Sequence, residues 1–328
     1  MLKKILIVFL AGLALLCFTL NATLEFPQKT AICWISNHLN KLFSKKISGY
    51  WFHLVDAYGL TKVSYRFEEA PIDVIIPCIA KDKETLDLCI EGIRKNGKNI
   101  RRIIILSSEP ISKNAEWFDE KKFPFTKYEV ALEITQDEKK AKELLAGPSR
   151  IGWIYQQFLK FYAPFVIPDI SSNVLLLDAD TVFLKPVAFV GPSGEGLYNP
   201  GTEHHQPYFR HAARLIPGFK KIFKGYSGIS HHMLFQKSIL ADLMSEIKLY
   251  HHVEPWKAMC HCIDHRYLSL SSLSEYEIYF NFAFMRTSQV KVRPLKWANI
   301  SSLDEIATYQ EKGYDYVSCH AYLRAEKG

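Results

Sequence analysis

The sequence predicts an α/β fold with a mixed, mostly parallel sheet and helices on both faces. Residues 73–77 and 103–106 are short apolar runs typical of buried strands, and a stretch with helical spacing separates them. Strand, helix and strand within about 35 residues form a βαβ unit, whose crossover is expected to be right-handed. A third apolar run, residues 174–177, ends directly in two aspartates, as a strand does when it reaches a ligand site at the sheet edge.

Length and composition predict a globular domain with an attachment. The chain has 328 residues, of which 48% are hydrophobic and 13% aromatic, enough for one large core or two modest ones. The net charge of +7 is spread along the chain, which favours an acidic substrate or an anionic membrane surface and predicts no nucleic-acid partner. Seven cysteines without a repeating spacing do not outline a disulfide framework.

The N-terminal segment predicts a membrane anchor. Lys3 and Lys4 precede twenty uncharged residues, 5–24, which as a helix would span about 30 Å, the thickness of a bilayer core. By the positive-inside rule the two lysines stay in the cytoplasm and the domain lies on the non-cytoplasmic side. The alternative is a signal peptide whose cleavage releases a secreted protein. Residues 25–70 predict a helical stem that packs on the membrane or on the domain.

A domain over residues 71–328 is predicted to follow, with halves at 71–186 and 187–328. In the first half, Asp82 is a predicted cap of the helix between the first two strands. Residues 128–134 predict a strand, and residues 135–138 match a capping box that opens a helix to about Leu145. In the second half, residues 191–228 predict long structured loops that hold the substrate.

A further helix is predicted from about Ser149. One face is apolar, and the other carries Trp153, Gln157 and Lys160 at spacings of four and three. This face fits contact with a bound nucleotide or, equally well, an ordinary polar surface exposed to solvent.

The aspartates Asp178 and Asp180 are the strongest candidates for chemistry. Two carboxylates two residues apart can face one site and hold Mg²⁺ or Mn²⁺ together with a diphosphate. The alternative is a pair of solvated turn aspartates. His320 follows a predicted strand at 316–319, where an imidazole can complete the metal shell or serve as an ordinary surface histidine.

Glu275 is the candidate general base, because a carboxylate beside an acceptor can take a proton from its hydroxyl group. Its alternative is a first-turn acid that complements a helix dipole. Glu277 fits a capping box with Ser274. His231 and His232 alternate along a predicted strand at 229–235, so at most one of them faces a given pocket.

The Asp-x-Asp run also resembles the nucleophile loop of haloacid-dehalogenase-type phosphatases. In those enzymes the motif follows the first strand and a later acidic pair binds the metal. Here a βαβ unit precedes the motif, and the only adjacent acidic pair after Ala188 is Asp304-Glu305, in a predicted surface helix. The order of the chain therefore argues against a phosphatase.

Five sequence blocks together resemble GT-A-fold glycosyltransferases over residues 72–322, and more narrowly the bacterial DUF6492 group. The blocks are residues 73–77 with Lys81-Asp82, Gly152-Trp153 with Gln156, Gln157 and Lys160, residues 177–183, residues 231–233 with Phe235, and residues 274–277. The resemblance implies a Rossmann-like sheet that binds a nucleotide-diphospho-sugar. His320 lacks the Gly and Lys-Pro-Trp context of the late metal-binding histidine in some GT-A enzymes.

The resemblance also implies roles for single residues. On the nucleotide side they are Pro77, Asp82, Trp153, Gln157, Lys160 and Asp178; on the metal Asp178, Asp180 and His320; and on the acceptor side His231, His232, Tyr276 and Glu275.

The expected activity is metal-dependent transfer of a sugar from a nucleotide-sugar to a glycan, lipid-linked or other acceptor hydroxyl group. Asp180 would be bridged to the donor diphosphate by Mn²⁺ or Mg²⁺, and Asp178 would support the ribose or the ligands of the metal. Glu275 would be the base in an inverting reaction and would only position the acceptor in a retaining one. The alternative from a different class is a GT-A domain that binds a glycan or nucleotide without turning it over.

Overall fold

A computed structural model describes residues 62–67, 70–321 and 323. The predicted anchor and residues 25–61 of the predicted stem lie outside the described residues. Within the ranges that are described, no helix combines the length and the apolar character needed to cross a bilayer.

The described chain alternates strands and helices. Its strands are β1 (Ile72–Pro77), β2 (Ile100–Ser107), β3 (Glu116–Asp119), β4 (Asn173–Leu177), β5 (Thr181–Phe183), β6 (Gly196–Tyr198), β7 (His232–Gln236), β8 (Val290–Val292), β9 (Trp297–Asn299) and β10 (Tyr316–Ser318). Its α-helices are α1 (Lys83–Asn96), α2 (Lys127–Thr135), α3 (Glu138–Ala146), α4 (Ile151–Val166), α5 (Gln206–Leu215), α6 (Lys237–His251), α7 (Pro255–His261), α8 (Glu275–Arg286) and α9 (Ile306–Glu311).

The main sheet has five strands in the order β3-β2-β1-β4-β7. Strands β1 to β4 pair in parallel, and β7 pairs antiparallel with β4. The prediction of an α/β fold with a mostly parallel sheet is therefore confirmed. Because the strand order reverses between β1 and β4, the carboxyl ends of these two neighbours open the kind of crevice in which such sheets bind ligands.

Apolar burial explains why these segments become strands and helices. The inner residues of β1 and β4 are fully buried, as expected of strands covered by helices on both faces. On α1, the residues at helical spacing, Leu86, Cys89, Ile90 and Ile93, are buried against the sheet. Helix α8 is buried along nearly its whole length, so it is part of the core of the domain.

A small second sheet has the order β5-β10-β9 and brings the end of the described chain to the Asp-x-Asp turn. β10 pairs antiparallel with β5, which directly follows that turn. The Cys319 amide donates to the Asp180 carbonyl at 2.9 Å. This pairing carries His320 to the carboxyl edge of β4.

The strand predicted at residues 128–134 is wrong, because these residues lie in α2. Thr126 accepts from the Glu129 amide and the Glu129 carboxylate accepts from the Thr126 amide, so a capping box opens this helix. The box predicted at residues 135–138 is wrong too. There Gln136 ends α2 in a left-handed conformation, and Asp137 caps α3 by accepting from the Lys140 amide.

Candidate functional site

The Asp-x-Asp turn lies at the carboxyl end of β4. The Asp178 amide donates at 3.0 Å to the carbonyl of His231, which directly precedes β7, and the Thr181 amide donates to the Asp178 carbonyl at 3.1 Å. Both side chains keep some exposure, 30% for Asp178 and 18% for Asp180. The turn therefore presents two partly accessible carboxylates, and each has its own set of partners.

Asp178 belongs to a buried ion cluster with Lys160 of α4 and Glu275 of α8. The Lys160 ammonium lies 2.8 Å from Asp178 Oδ1 and 2.6 Å from Glu275 Oε1. The Tyr276 hydroxyl lies 3.3 Å from both the ammonium and the Asp178 carboxylate. One cation thus joins a carboxylate at the end of β4 to one at the start of α8.

Electrostatics keep the buried Lys160 charged. Burial would lower the pKa of Lys160, but the charges of Asp178 and Glu275 raise it well above its usual value. Burial raises the pKa of Glu275, and the charge of Lys160 opposes that rise. The Lys160 ammonium therefore offsets the energetic cost of burying two carboxylates in this interior.

Asp180 pairs with His320 across the turn. His320 Nδ1 donates to Asp180 Oδ2 at 2.8 Å, and the Ser318 hydroxyl donates to Oδ1 at 2.9 Å. Burial would raise the pKa of Asp180, but the His320 hydrogen bond and charge outweigh it and hold the pKa at about 2. Burial would likewise lower the pKa of His320, and the bond to Asp180 raises it above its usual value.

His231 and His232 point to opposite sides of the chain. His231 Nε2 lies 3.3 Å from His320 Nε2, and burial together with the charge of His320 lowers the pKa of His231 to about 4, so His231 accepts from His320. His232 is buried among Phe183, Phe189 and Tyr316. The prediction that His232 lines the acceptor side is wrong, because its ring belongs to the core.

The predicted metal ligands do not form one preassembled cluster. Among the residues that the structure describes, no group of three or more His, Cys, Asp and Glu side chains is arranged to hold a metal. Asp178 faces Lys160 instead, while Asp180 and His320 stay together at the partly exposed turn. A carboxylate and an imidazole suit Mn²⁺ or Mg²⁺ as two ligands when diphosphate oxygens and water supply the others.

On the predicted nucleotide side, Pro77 ends β1 at the same sheet edge, next to the 3₁₀ turn Ala80–Asp82. Asp82 occupies the N-cap position of α1, as predicted, but its side chain makes no cap hydrogen bond there. Gln157 and Lys160 are only 2% exposed. Gln157 Oε1 accepts from the Glu275 amide at 3.4 Å, so these two side chains support Glu275 and do not form an open surface.

Glu275 is 2% exposed, and one of its carboxylate oxygens is bonded to Lys160. This burial argues against the predicted general base, which needs contact with an incoming hydroxyl group. Tyr276, predicted on the acceptor side, is buried beside it. Glu277 does not complete a capping box, because its carboxylate accepts from the Gly228 amide and from the Asn281 side chain at 2.8 Å each.

Two site residues were not found from the sequence. Ser318 orients Asp180, but a serine at the end of a strand carries no pattern of its own. Tyr208 of α5 stacks on the half-buried Trp153, with ring centroids 6.0 Å apart. In the sequence, Tyr208 is marked only by its position in the aromatic-rich stretch of residues 191–228.

Comparison with known proteins gives a family and no activity. A crystal structure of mouse xyloside xylosyltransferase 1 in its apo form aligns at 10% identity with a TM-score of 0.36, covering 77% of this chain and 98% of that chain. A likeness this weak identifies neither fold nor activity. A search among curated proteins finds no match. The model of a family of unknown function, DUF6492, matches residues 98–319. Because this match covers more than half of the chain, the protein belongs to the DUF6492 family.

Proposed function

We propose that this protein is a glycosyltransferase of the GT-A type, which moves a sugar from a nucleotide-sugar to an acceptor hydroxyl group. The observation that carries the proposal is the Asp178-Ala179-Asp180 turn at the carboxyl end of β4, beside the reversal of strand order. A parallel sheet binds nucleotides at this place, and partly exposed carboxylates there suit a metal-bound diphosphate.

The donor would lie across the ends of β1 and β4. The chain after Pro77, with Asp82, would contact the nucleoside, and Asp178 would face the ribose. Lys160 holds the Asp178 carboxylate in place, and Glu275 in turn holds Lys160. Glu275 is therefore proposed as a positioning residue, in keeping with a mechanism that needs no protein base.

Asp180 and His320 would hold the metal ion, which would displace one of the two ring protons that His320 shares with Asp180 and His231. Ser318 fixes the Asp180 carboxylate by donating to Oδ1, which leaves further lone pairs of that carboxylate for coordination. When bound, Mn²⁺ or Mg²⁺ would stabilise the negative charge that develops on the leaving diphosphate. Because both side chains are partly exposed, donor oxygens and water molecules could reach a metal ion bound to them.

The acceptor is proposed to be a glycan or lipid-linked hydroxyl compound. The uncharged N-terminal stretch, residues 5–24, supports a membrane-anchored enzyme that acts on the non-cytoplasmic side, with a secreted form as the alternative. A domain that binds the donor without turning it over remains the competing proposal from another class.

The test is the Asp180→Asn variant, assayed for metal-dependent transfer and for thermal stabilisation by a panel of nucleotide-sugars. We expect one donor to raise the melting temperature of the native protein in the presence of Mn²⁺, and transfer to fall at least 100-fold in the variant. The exposed Asp304→Asn variant is the matched control. Full activity of Asp180→Asn, or of the native protein in excess chelator, would refute the metal site, and donor binding without turnover would favour the adaptor.

A further inference from the structure

A stacked aromatic pair lies about two helical turns along α4 from Lys160 of the ion cluster. Trp153 on α4 and Tyr208 on α5 have ring centroids 6.0 Å apart and an interplanar angle of 14°. The guanidinium of Arg150 lies 5.2 Å from the Trp153 ring and donates to the Ser271 hydroxyl at 2.9 Å. Aromatic rings beside a polar site are suited to stacking against the apolar C–H faces of a sugar ring.

Two further cations extend this surface along α5 and the loop after it. Arg210 donates to the Tyr267 hydroxyl at 2.7 Å, and Lys221 lies 5.5 Å from the Phe209 ring centroid. Among the described residues, the partners recorded for Arg150, Arg210 and Lys221 are hydroxyl groups, aromatic rings and an imidazole. None of these partners carries a negative charge, although the charge of Lys221 also reaches the Glu277 carboxylate.

The same part of the chain is biased in charge. Residues 204–241 contain six Lys and Arg residues and no Asp or Glu. They are Arg210, Arg214, Lys220, Lys221, Lys224 and Lys237. Glu203 lies beside Tyr208, and Arg214 pairs with Asp264 at 3.3 Å, so the surface has an excess of positive charge and is not purely positive. Such an excess next to a site raises the local concentration of anionic ligands.

The surface lies close to the candidate site, and a buried side chain links the two. Gln157 connects the two, since its amide nitrogen donates to the Trp153 carbonyl at 3.2 Å while its oxygen accepts from the Glu275 amide. Tyr208 is close enough to Glu275 that, after burial, the charge of that carboxylate helps to raise the pKa of the tyrosine to about 12. A molecule on this surface would therefore lie next to the proposed donor site.

We infer that the surface formed by Arg150, Trp153, Tyr208, Arg210 and Lys221 binds the acceptor, and that this acceptor is a saccharide carrying a carboxylate or phosphate group. The inference rests on the proposed function and adds the chemical class of its second substrate. The rings take the sugar face, and the guanidinium and ammonium groups pair with the anion.

The test compares three oligosaccharides of equal length: a neutral one, one containing uronic acid and one carrying phosphate. Binding to the native full-length protein is measured by calorimetry at 150 mM salt. We expect at least one anionic oligosaccharide to bind ten or more times tighter than the neutral one. The two anionic arms tell carboxylate from phosphate. Equal or tighter binding of the neutral oligosaccharide would overturn the inference.

A triple variant, R150Q/R210Q/K221Q, locates the binding surface. It should lose at least tenfold in affinity for the anionic oligosaccharide while the thermal shift caused by the donor is retained. The matched control, K139Q/K140Q/K142Q, removes three charges from the exposed face of α3 and should bind as the native protein does. An unchanged affinity of the first variant would refute this surface.

Two further measurements separate the possible failures. If the native protein shows no metal-dependent donor binding, the proposed function is refuted. If it binds the donor but does not prefer anionic oligosaccharides over neutral ones, only this inference is refuted. A single-stranded oligonucleotide of equal charge is included as a competitor. If it binds more tightly than every saccharide, the surface is a general polyanion site and the inference is wrong.

Discussion

At the scale of single residues, Lys160 determines the geometry of the site. Lys160 is 2% exposed, and its ammonium bonds two carboxylates that belong to different parts of the fold. A buried ion pair is weak evidence for stability, but removing one partner leaves an uncompensated charge in the interior. The importance of Lys160 therefore lies in what its absence would do to Asp178 and Glu275.

We predict that Lys160→Met lowers the free energy of unfolding by about 3–5 kcal/mol, because both carboxylates lose their cation. Urea denaturation monitored by circular dichroism measures the change. The double variant K160M/E275Q should recover part of the loss, since the two side chains are coupled. Lys139→Met on the exposed face of α3 is the control, and a loss below about 1 kcal/mol for Lys160→Met would contradict the cluster.

At the scale of elements, the docking of α5 on α7 depends on a buried histidine. His211 is 2% exposed, and its Nε2 donates to the Met259 carbonyl at 2.9 Å. Burial lowers the pKa of His211 to about 4, although that hydrogen bond opposes the shift; nearby Arg214 and His251 lower it further. Burial therefore favours the neutral imidazole at this contact.

This histidine makes stability depend on pH. The unfolded chain binds a proton on His211 below pH 6.5, whereas the folded chain stays neutral down to about pH 4. Stability is therefore lost as the pH falls through this range, by up to about 3 kcal/mol from this residue. In His211→Gln that part of the pH dependence should disappear in denaturation measured from pH 7 to pH 4. His265→Gln, at an exposed position, should keep the native profile, and an unchanged profile in His211→Gln would show that His211 does not titrate in this way.

At the scale of the whole molecule, the end of the predicted stem is part of the domain. The Val63 amide donates to the Arg286 carbonyl at 2.6 Å, and the Tyr65 hydroxyl donates to the Asp242 carboxylate. Arg286 bonds Asp242 at 2.8 Å and Glu246 at 2.9 Å. Residues 62–67 are thus attached to α6 and α8 through a largely buried ion network, so any tether that precedes them begins at this face.

We predict that Tyr65→Phe lowers the free energy of unfolding by about 1–2 kcal/mol, because the buried Asp242 carboxylate loses a hydrogen-bond donor. Thermal unfolding of the full chain measures it. Tyr226→Phe, at an exposed position, is the control and should leave the melting temperature unchanged. Equal stability of both variants would show that this segment is not anchored through its tyrosine.

The sequence by itself determined the elements whose pattern is local. The apolar runs of β1, β2 and β4 and the spacing on α1 depend only on neighbouring residues, so they could be recognised without a structure. The position of Asp178 and Asp180 at a strand end followed in the same way. For residues 128–134 the local pattern predicted a strand where the structure has a helix. Their mixed apolar pattern fits either element, and the capping box at Thr126 favours the helix.

Only the tertiary structure decided how the candidate residues combine. Lys160 meets Glu275 across 115 positions, and His320 meets Asp180 across 140. Sequence patterns do not record such pairs, because they form where separate elements pack against the sheet edge. The packing also buries Glu275, Gln157 and His232. This burial argues against Glu275 as a general base, and it keeps Gln157 from forming an open nucleotide-binding surface and His232 from lining the acceptor side. What a side chain can do at this site depends on burial and partners, and both are properties of the folded chain.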